Sequence, residues 1–456
     1  MPPVQDGDII VVGAGTAGSY AAATMAQAGL DVQVLERKPE SDAGHIACGD
    51  ALKGADEFPE SVPKTEFDEA ITNPDVDHGR FEIPSVDTVI DIPVPGELAV
   101  IDRLDFGKSI IEAAQDAGAT YVFNTVVTDV VQTDGQVTGV VATRNGDPET
   151  YEADIVIDAA GALSILQDKA DLEATTFDTN VSYKQFTSAY REVLEVPEPV
   201  SWDDALVFKP TDRAEGYIWY FPRTPTEINV GVGFQMTAEP MKLVQAMKTD
   251  LEARPEFQDA TVVDKLGAAI PTRRPYDSAV APGYMAVGDA AGHVNPTTGG
   301  GIAGAAYAGY YAANTAVSAI ENGDVSEAAL WDYNEAVMEH FGGRYASLDV
   351  YNILTTTVEV EDLMGLLTSI PAEKVSEALY AGTAEFGWGL KLRTLLGSLS
   401  HWQLLYRLYQ TKSVADRLLA QYKKYPETPA DFEAWQAQRD EIMEEVYTVT
   451  GADPKY

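Results

Sequence analysis

The stretch DIIVVGAGTAGSYAAATMAQAGLDVQVLERK, residues 8–38, decides the fold of this chain. A mostly apolar run at residues 8–12 leads into a glycine-rich turn and then into an alanine-rich segment. Gly29 separates that segment from a second apolar run. Apolar runs of this length around a helical segment that stops at glycine predict a strand, a helix and a second strand.

The glycine-rich turn carries a dinucleotide fingerprint at Gly13, Gly15 and Gly18. The first glycine permits the turn, the second lets the backbone approach a pyrophosphate, and the third lets helix and strand pack closely. Amides at the start of the helix then face the phosphates. Glu36 ends the second strand, where an acid accepts hydrogen bonds from a ribose. The alternative is a tight turn without ligand, and the fingerprint alone does not separate NAD from FAD.

The rest of the chain predicts an α/β fold in which a Rossmann-type nucleotide domain is discontinuous. An inserted, mostly antiparallel sheet forms a second domain, and a helical region follows. The predicted boundaries are 1–60, 96–165 and 271–345 for the nucleotide domain, 61–95 and 166–270 for the sheet domain, and 346–456 for the helical region.

Local patterns predict several elements within these domains. Residues 102–118 indicate a helix with a glycine stop, and a second helix is expected near 238–252. Asp134-Gly135 and Asn145-Gly146 are typical of hairpin turns. The segment LRTLLGSLSHWQLLYRLYQ, residues 392–410, has apolar residues at helical spacing.

The charge balance is extreme, with 72 acidic against 31 basic side chains and a net charge of −41. Repulsion at this density opposes folding unless salt screens it, which indicates a halophile protein from a cytosol of molar salt. The same charge argues against nucleic-acid partners.

Cysteine and histidine usage restricts the chemistry further. Cys48 is the single cysteine, so the chain has no internal disulfide, no cysteine-cluster zinc site and no four-cysteine iron–sulfur cluster. The five histidines show no metal-ligand spacing, and we predict no metal site. No secretory signal is recognised, and the uncharged run 299–320 is rich in alanine and glycine, which favours a buried helix over a membrane span. A cytoplasmic protein is expected.

A second glycine-rich motif, GDAAGHVNPTTGGGI, follows an apolar strand at residues 288–302. It resembles the second flavin fingerprint of the glutathione-reductase-type FAD proteins, in their hydroxylase branch. The resemblance implies FAD as cofactor, with Asp289 on the ribityl chain and with Gly301 and Ile302 near the flavin pyrimidine edge. Helix-terminal amides there would stabilise negative charge on a reduced flavin.

The same branch assigns further positions to the cofactor. The resemblance places Arg103 near the phosphates, Asp158 and Gly161 on a third nucleotide-contacting strand, and the backbone of Val127 against adenine. It also implies cofactor contacts for Ala17, Cys48 and Gly49.

The stretch GYIWYFPRTPTEINVGVGF, residues 216–234, sets three large rings at period two, so that they share one strand face. The alternative is an ordinary aromatic sheet core. The pattern YxWxFP followed by GxG resembles the geranylgeranyl reductase family, in which this motif lines a tunnel for a polyprenyl chain. By that resemblance the substrate-binding residues are Tyr217, Trp219, Phe221, Pro222, Gly231 and Gly233.

Cys48, in HIACGDALKG, matches the Cys-Gly that members of the family carry beside the flavin. The resemblance implies either a catalytic part in reduction, as a proton relay, or a role in shaping the pocket. A small buried hydrophobe is the ordinary fate of a free cysteine.

The resemblance as a whole implies an FAD-dependent prenyl reductase that saturates geranylgeranyl chains of archaeal ether-lipid precursors. The electron donor stays open between ferredoxin, reduced deazaflavin and NAD(P)H, and the apolar C-terminal helix permits peripheral contact with the inner membrane face. The alternatives are an FAD-dependent aromatic monooxygenase and a non-catalytic prenyl-lipid carrier. A relative of the electron-transfer flavoprotein–quinone reductases would need an iron–sulfur cluster that one cysteine cannot supply.

Overall fold

The protein is seen in a computed structural model. The structure describes residues 4–53, 58–83, 88–94, 96–211, 216–236, 239–359, 362 and 402–456.

The strands alternate with short connections through most of the first 290 residues. In chain order they are β1 Val4–Val12, β2 Val32–Leu35, β3 Ala51–Lys53, β4 Ile71–Asn73, β5 His78–Ile83, β6 Thr88–Pro93, β7 Leu98–Ile101, β8 Thr120–Val122 and β9 Thr125–Thr133. They continue as β10 Gln136–Arg144, β11 Asp147–Asp158, β12 Phe186–Glu195, β13 Ala205–Pro210, β14 Gly216–Pro222, β15 Glu227–Gln235, β16 Thr261–Pro271, β17 Val280–Ala281 and β18 Tyr284–Ala286.

The helices are concentrated after the last strand. In chain order they are α1 Thr16–Gln27, α2 Arg103–Asp116, α3 Ile165–Lys169, α4 Pro240–Ala253, α5 Ile302–Asn322, α6 Trp331–Val337, α7 Gly343–Thr355, α8 Trp402–Tyr422 and α9 Phe432–Thr450. A π-helical turn, Met338–Gly342, joins α6 to α7.

The first sheet has the doubly wound order β17-β18-β11-β1-β2-β8, with β10 and β9 added beside β11. Its central strands are parallel, β1 pairing with both β11 and β2. The predicted β-α-β unit is therefore confirmed. The hairpin turns are confirmed too, because Asp134 and Gly135 both take positive φ, as do Asn145 and Gly146.

The second sheet has the order β16-β12-β15-β14-β13-β5-β6 and is antiparallel except between β13 and β5. Its strands come from two separate parts of the chain, as predicted for an inserted sheet. A small third sheet, β3-β7-β4, was not foreseen. In chain order, β3 and β4 precede β5 and β6, the first strands of the second sheet, and β7 follows them. The exact domain boundaries stay a prediction.

The main core packs the first sheet against α1, α5 and the helices that follow. Small residues let α1 and α5 approach closely, since a Cβ added to Gly309 would lie 2.2 Å from the carbonyl oxygen of Ala17. The alanine-rich run 299–320 is therefore largely α5, a packed helix. In the described part of the chain, no helix combines the length and apolar character needed to cross a membrane.

The predicted C-terminal helical region is only partly described. Residues 392–401 of the apolar segment lie outside the described residues, and its remainder begins α8 at Trp402. A second core cluster lies between the second sheet and α4, and a third lies on the opposite face of that sheet.

Candidate functional site: a dinucleotide cleft beside an aromatic sheet face

The first glycine turn is shaped by backbone contacts at two of its three glycines. Gly13 has φ +104°, and an added Cβ would lie 2.4 Å from the carbonyl oxygen of Ala159. At Gly18 the added atom would lie 2.0 Å from the carbonyl oxygen of Gly13. At Gly15, by contrast, it would meet only Ile46 Cδ1, at 3.6 Å. The protein itself has room for a methyl group at Gly15, and a pyrophosphate close to the backbone would account for glycine there.

Glu36 is tied to this turn by its own hydrogen bonds. Its carboxylate accepts from the Ala14 amide and from the Lys38 amide, both at 2.9 Å. An ionised carboxylate offers about four acceptor positions, so capacity for a ribose hydroxyl remains. The sequence predicted only the ribose contact, and the structure adds a role in holding the turn.

Arg103 begins α2 and is buried, with 3% of its surface exposed. Its Nη2 donates to Thr16 Oγ1 at 2.9 Å, at the start of α1, while Nη1 is buried and has no hydrogen-bond partner among the described residues. Burial lowers the pKa of this guanidinium, and nearby Cys48, Asp50 and Asp289 act in the opposite direction. A buried guanidinium whose Nη1 has no partner among these residues, beside a helix N-terminus, fits an anionic group such as a pyrophosphate. The residues present therefore fit the dinucleotide that the fingerprint implies.

The second glycine-rich motif lies next to the first. A Cβ on Gly288 would lie 2.9 Å from Ala17 Cβ, and a Cβ on Gly301 would lie 3.6 Å from Asp289 Oδ1. Gly301 is the N-cap of α5 and contributes no side-chain cap, so the first amides of the helix, from Ile302 onward, are free to face a ligand.

The aromatic strand β14 contacts this cleft through two segments. Tyr217 Oη donates to the carbonyl oxygen of Thr298 at 3.2 Å, in the loop that leads to α5. A Cβ on Gly49 would lie 2.9 Å from Phe221 Cε2 and 3.4 Å from Trp219 Nε1, so Gly49 packs directly against these rings.

Trp219 lies over Gly231, its partner across the β14–β15 pair. A Cβ on Gly231 would lie 2.0 Å from Trp219 Cζ2, whereas a Cβ on Gly233 would be 3.9 Å from the ring. Gly231 is therefore required by the indole, and Gly233 lies at its edge. The rings belong to the third core cluster, with Tyr217 packed against it.

Three further sequence-predicted positions are buried in the protein, and the ligand contacts predicted for them stay predictions. Val127 is buried in the main core, where it pairs with Ala142. Pro222 ends β14 and, by strand alternation, points to the face opposite the rings. Asp158 is fully buried, and its carboxylate accepts from Tyr284 Oη at 2.6 Å and from the Ala160 amide at 3.0 Å. Its side chain is engaged by protein groups, and Gly161 follows in the turn with φ +91°.

A buried polar cluster next to Cys48 was not predicted from the sequence. Asn229 accepts from Trp219 Nε1 at 3.0 Å and donates to the Cys48 carbonyl oxygen at 2.9 Å. It also donates to Asp50 Oδ2, which Arg223 contacts from the other side. One signal was available: Asn229 shares the period-two register of Gly231 and Gly233, so it is a polar residue on the ring face of an apolar strand.

In the described residues, no three His, Cys, Asp or Glu side chains are grouped as a metal site requires.

The fold and the cleft define a dinucleotide-binding oxidoreductase of the Rossmann type. The profile of the family described as FAD dependent oxidoreductase matches residues 8–242, more than half of the chain, and the chain belongs to this family. FAD is its cofactor.

Relatives that match most of the chain identify a more specific family. The chain is 29% identical to the digeranylgeranylglycerophospholipid reductase of Sulfolobus acidocaldarius, over 96% of this chain and 97% of the relative. It is 31% identical to the protein of the same name from Methanocella arvoryzae, over 78% of this chain and 88% of the relative. The chain therefore belongs to the digeranylgeranylglycerophospholipid reductase family, which confirms the resemblance seen in the sequence.

A solved structure agrees on the fold. The geranylgeranyl bacteriochlorophyll reductase-like protein from Thermoplasma acidophilum superposes with a TM-score of 0.73 at 24% identity, covering 90% of this chain and all of that one. The predicted fold class is thereby confirmed.

Asp289 makes the free energy of unfolding depend on pH. Burial raises its pKa to about 6, partly offset by Arg103. Since an unfolded aspartate titrates near 3.9, the stability contributed by the bound proton is complete below about pH 4 and is lost as the pH rises through about 6. We expect flavin-free Asp289→Asn protein to exceed wild type in unfolding free energy by about 1–3 kcal/mol at pH 7.5. Urea unfolding at pH 7.5 and pH 4 measures this, and an equal difference at both pH values would contradict it.

Proposed function

We propose that the chain is an FAD-dependent reductase, acting on CH–CH groups, that saturates the C=C bonds of geranylgeranyl chains in archaeal ether-lipid precursors. This is the substrate class in the name of its relatives. The observation that carries the proposal is the contact of one ring-bearing strand face with both cofactor segments, through Tyr217 on Thr298 and through Gly49 on Phe221 and Trp219.

The cofactor would be held by the residues that line the cleft. We assign the pyrophosphate to Arg103 and the amides after Gly15, the ribose to Glu36, and the ribityl chain to Asp289. Gly301 and the first amides of α5, from Ile302 onward, would face the pyrimidine edge. Reduced FAD supplies a hydride when bound.

The substrate chain would lie against the apolar face of β14. Rings at period two form a continuous wall with few rotamers to fix, which suits a linear chain of methyl-branched isoprene units. Trp219 and Phe221 would contact the prenyl chain, and Tyr217 would mark the end next to the α5 loop. Gly231 lets the indole lie flat on the sheet, so the wall stays smooth.

Cys48 would hold a proton at this wall. An isolated trisubstituted alkene has no group that stabilises a carbanion, so saturation requires a proton at one carbon as a hydride reaches the other. The thiol is half-buried, and burial followed by the charge of Asp50 raises its pKa, so it stays protonated at neutral pH. Its Sγ accepts from the Asp50 amide at 3.2 Å, which fixes the thiol relative to the turn.

Anaerobic mixing of the reduced, FAD-loaded protein with digeranylgeranyl lipid tests the proposal. We expect the absorbance of oxidised flavin to return as the lipid is consumed. The Cys48→Ala variant should slow this step by about 100-fold, in the usual range for loss of a general acid, with FAD bound normally. No reoxidation by lipid would reject the proposed function, and full turnover by Cys48→Ala would restrict Cys48 to a structural role.

We further propose that the protein works in a high-salt cytoplasm at the inner membrane face, and that ferredoxin, reduced deazaflavin or NAD(P)H supplies the electrons. The net charge of −41 supports molar salt, where screening lets an acidic protein approach anionic lipid. Tyr406 and Tyr409, three residues apart on α8, are 57% and 72% exposed and support membrane contact.

Vesicle sedimentation measures that contact. With vesicles of phosphatidylglycerol and phosphatidylcholine in about 2 M KCl, the wild-type protein should sediment with the lipid. Replacing both tyrosines by serine should weaken the association about tenfold, through loss of apolar burial. Equal sedimentation of the two proteins would exclude this face of α8 as the contact.

A further inference from the structure

The turn that presents Cys48 depends on a buried aspartate in an unusual backbone conformation. Asp50 has φ +68° and no exposed surface. Left-handed backbone at a residue other than glycine persists only where the surroundings hold it, and aspartate and asparagine tolerate it best. The structure shows what holds Asp50, because its carboxylate is bound by Asn229 of β15 and by Arg223 of the turn between β14 and β15.

Asn229 and Arg223 bind the Asp50 carboxylate. Asn229 Nδ2 donates to Asp50 Oδ2 at 2.6 Å and to the Cys48 carbonyl oxygen at 2.9 Å, so one amide group fixes both ends of the turn. Arg223 donates to the same Oδ2 through Nε at 2.8 Å and lies within 2.7 Å through Nη2. Trp219 Nε1 in turn donates to Asn229 Oδ1, which connects the cluster to the ring wall.

Burial raises the pKa of Asp50, while Arg223, Asn229 and Arg191 act in the opposite direction and favour the charged carboxylate. Arg223 compensates that charge only in part. That guanidinium also pairs with Asp102 at 2.8 Å and with Glu227 at 3.3 Å. Asp50 Oδ1 is buried without a hydrogen-bond partner among the described residues. A carboxylate in this state leaves negative potential beside the thiol, which disfavours a thiolate.

We propose that Asp50 is a positioning residue for the reaction: gripped by Asn229 and Arg223, its carboxylate holds the Cys48–Gly49 turn on the ring wall and keeps the Cys48 thiol protonated. The part that Asp50 plays in the reaction rests on the proposed function. Its effect on the Cys48 thiol does not, and that effect can be measured without lipid.

The charged groups around the thiol act in both directions. Burial raises the pKa of Cys48 most, and Asp50 raises it further. Arg103 at the start of α2 and Arg191 of β12 lower the pKa. Arg191 is itself engaged by Asp264 of β16, which also contacts His45 of the loop before Cys48. The carboxylate of Asp50 is the nearest acid in sequence and the one that shares Asn229 with the Cys48 backbone.

The single cysteine of the chain makes the thiol a clean probe. Iodoacetamide alkylation of the FAD-bound protein, followed by intact mass, reports Cys48 alone, and its rate against pH gives the titration of the thiol without any lipid. In wild type the midpoint should lie above the value of about 8.5 for an exposed cysteine. A wild-type midpoint at or below that value would overturn the proposal without any variant.

Three variants test whether the charge of Asp50 sets the titration midpoint of the Cys48 thiol. Asp50→Asn keeps a residue that accepts left-handed backbone, and should move the midpoint to lower pH and speed alkylation at pH 7.5 about threefold, because the gain in thiolate exceeds the loss of nucleophilicity. Asp50→Glu restores the charge and should bring the midpoint back toward wild type. Glu227→Gln, which removes a different carboxylate from Arg223, should leave the midpoint near the wild-type value.

An unchanged midpoint in FAD-bound Asp50→Asn would overturn the proposal. So would equal shifts in Asp50→Asn and Glu227→Gln. Because no lipid takes part, failure of the proposed function would appear as absent lipid turnover with the alkylation pattern intact, and the two failures can be told apart.

Discussion

Replacing Gly15 by alanine is expected to abolish most FAD binding while leaving the fold intact. The added methyl group meets only Ile46 Cδ1, at an ordinary contact distance of 3.6 Å, and Gly15 has φ −74°, which alanine adopts freely. The space that the methyl group would enter is the one that the fingerprint reserves for the pyrophosphate. Loss of charge-assisted amide contacts, worth about 1.5–3 kcal/mol each, should weaken FAD binding about 100-fold or more.

Gly18→Ala provides the matched comparison within the same turn. Its Cβ would lie 2.0 Å from the Gly13 carbonyl oxygen and 3.1 Å from Ala159 Cβ, so the protein itself is distorted. We expect Gly18→Ala to lower the melting temperature of the flavin-free protein, and Gly15→Ala to leave it near wild type. Fluorescence titration of flavin-free protein with FAD gives the affinities. Wild-type affinity in Gly15→Ala would show that no phosphate approaches this residue.

Replacing Gly231 by alanine should disable prenyl turnover while FAD stays bound. The new Cβ would lie 2.0 Å from Trp219 Cζ2 and 2.3 Å from Cε2, so the indole must leave the sheet surface. Its hydrogen bond to Asn229, and with it the hold on the Cys48 turn, would be disturbed. A displacement of about 1 Å near the reacting atoms can cost about 100-fold in rate, and we expect kcat/KM to fall by that order.

Gly233→Ala is the control for this second prediction. Its Cβ would lie 3.2 Å from Thr187 Cγ2 and 3.9 Å from the indole, so the ring can stay in place after a small shift of the threonine. Steady-state turnover of the lipid, with flavin content measured on the same samples, compares the two variants. Equal activity of Gly231→Ala and wild type would remove Trp219 from the substrate path.

The parts of the fold that local signals specify were predictable from the sequence. The β-α-β unit follows from the glycine turn between apolar runs, and α2 from the helical segment that stops at Gly118. The third sheet was not predictable, because β3 and β4 are three-residue strands whose pairing with β7 has no local signature.

Some residues of the candidate site could likewise be predicted from the sequence, and others could not. The glycines, Arg103 and the rings were predicted because each belongs to a compact motif. The Asp50 cluster was missed, because its contacts join residues 173 and 179 positions apart in the chain. Strand alternation alone predicts that Pro222 faces away from Trp219, so that placement was available from the sequence.

The central claim is that the ring-lined face of β14 brings an unactivated double bond to the FAD of this chain. Mass spectrometry of the lipid after anaerobic incubation with the reduced, FAD-loaded protein tests it most directly. The account predicts product lipid that has gained two hydrogen atoms for each saturated bond. Lipid of unchanged mass, recovered from protein whose flavin was fully reduced at the start, would contradict it.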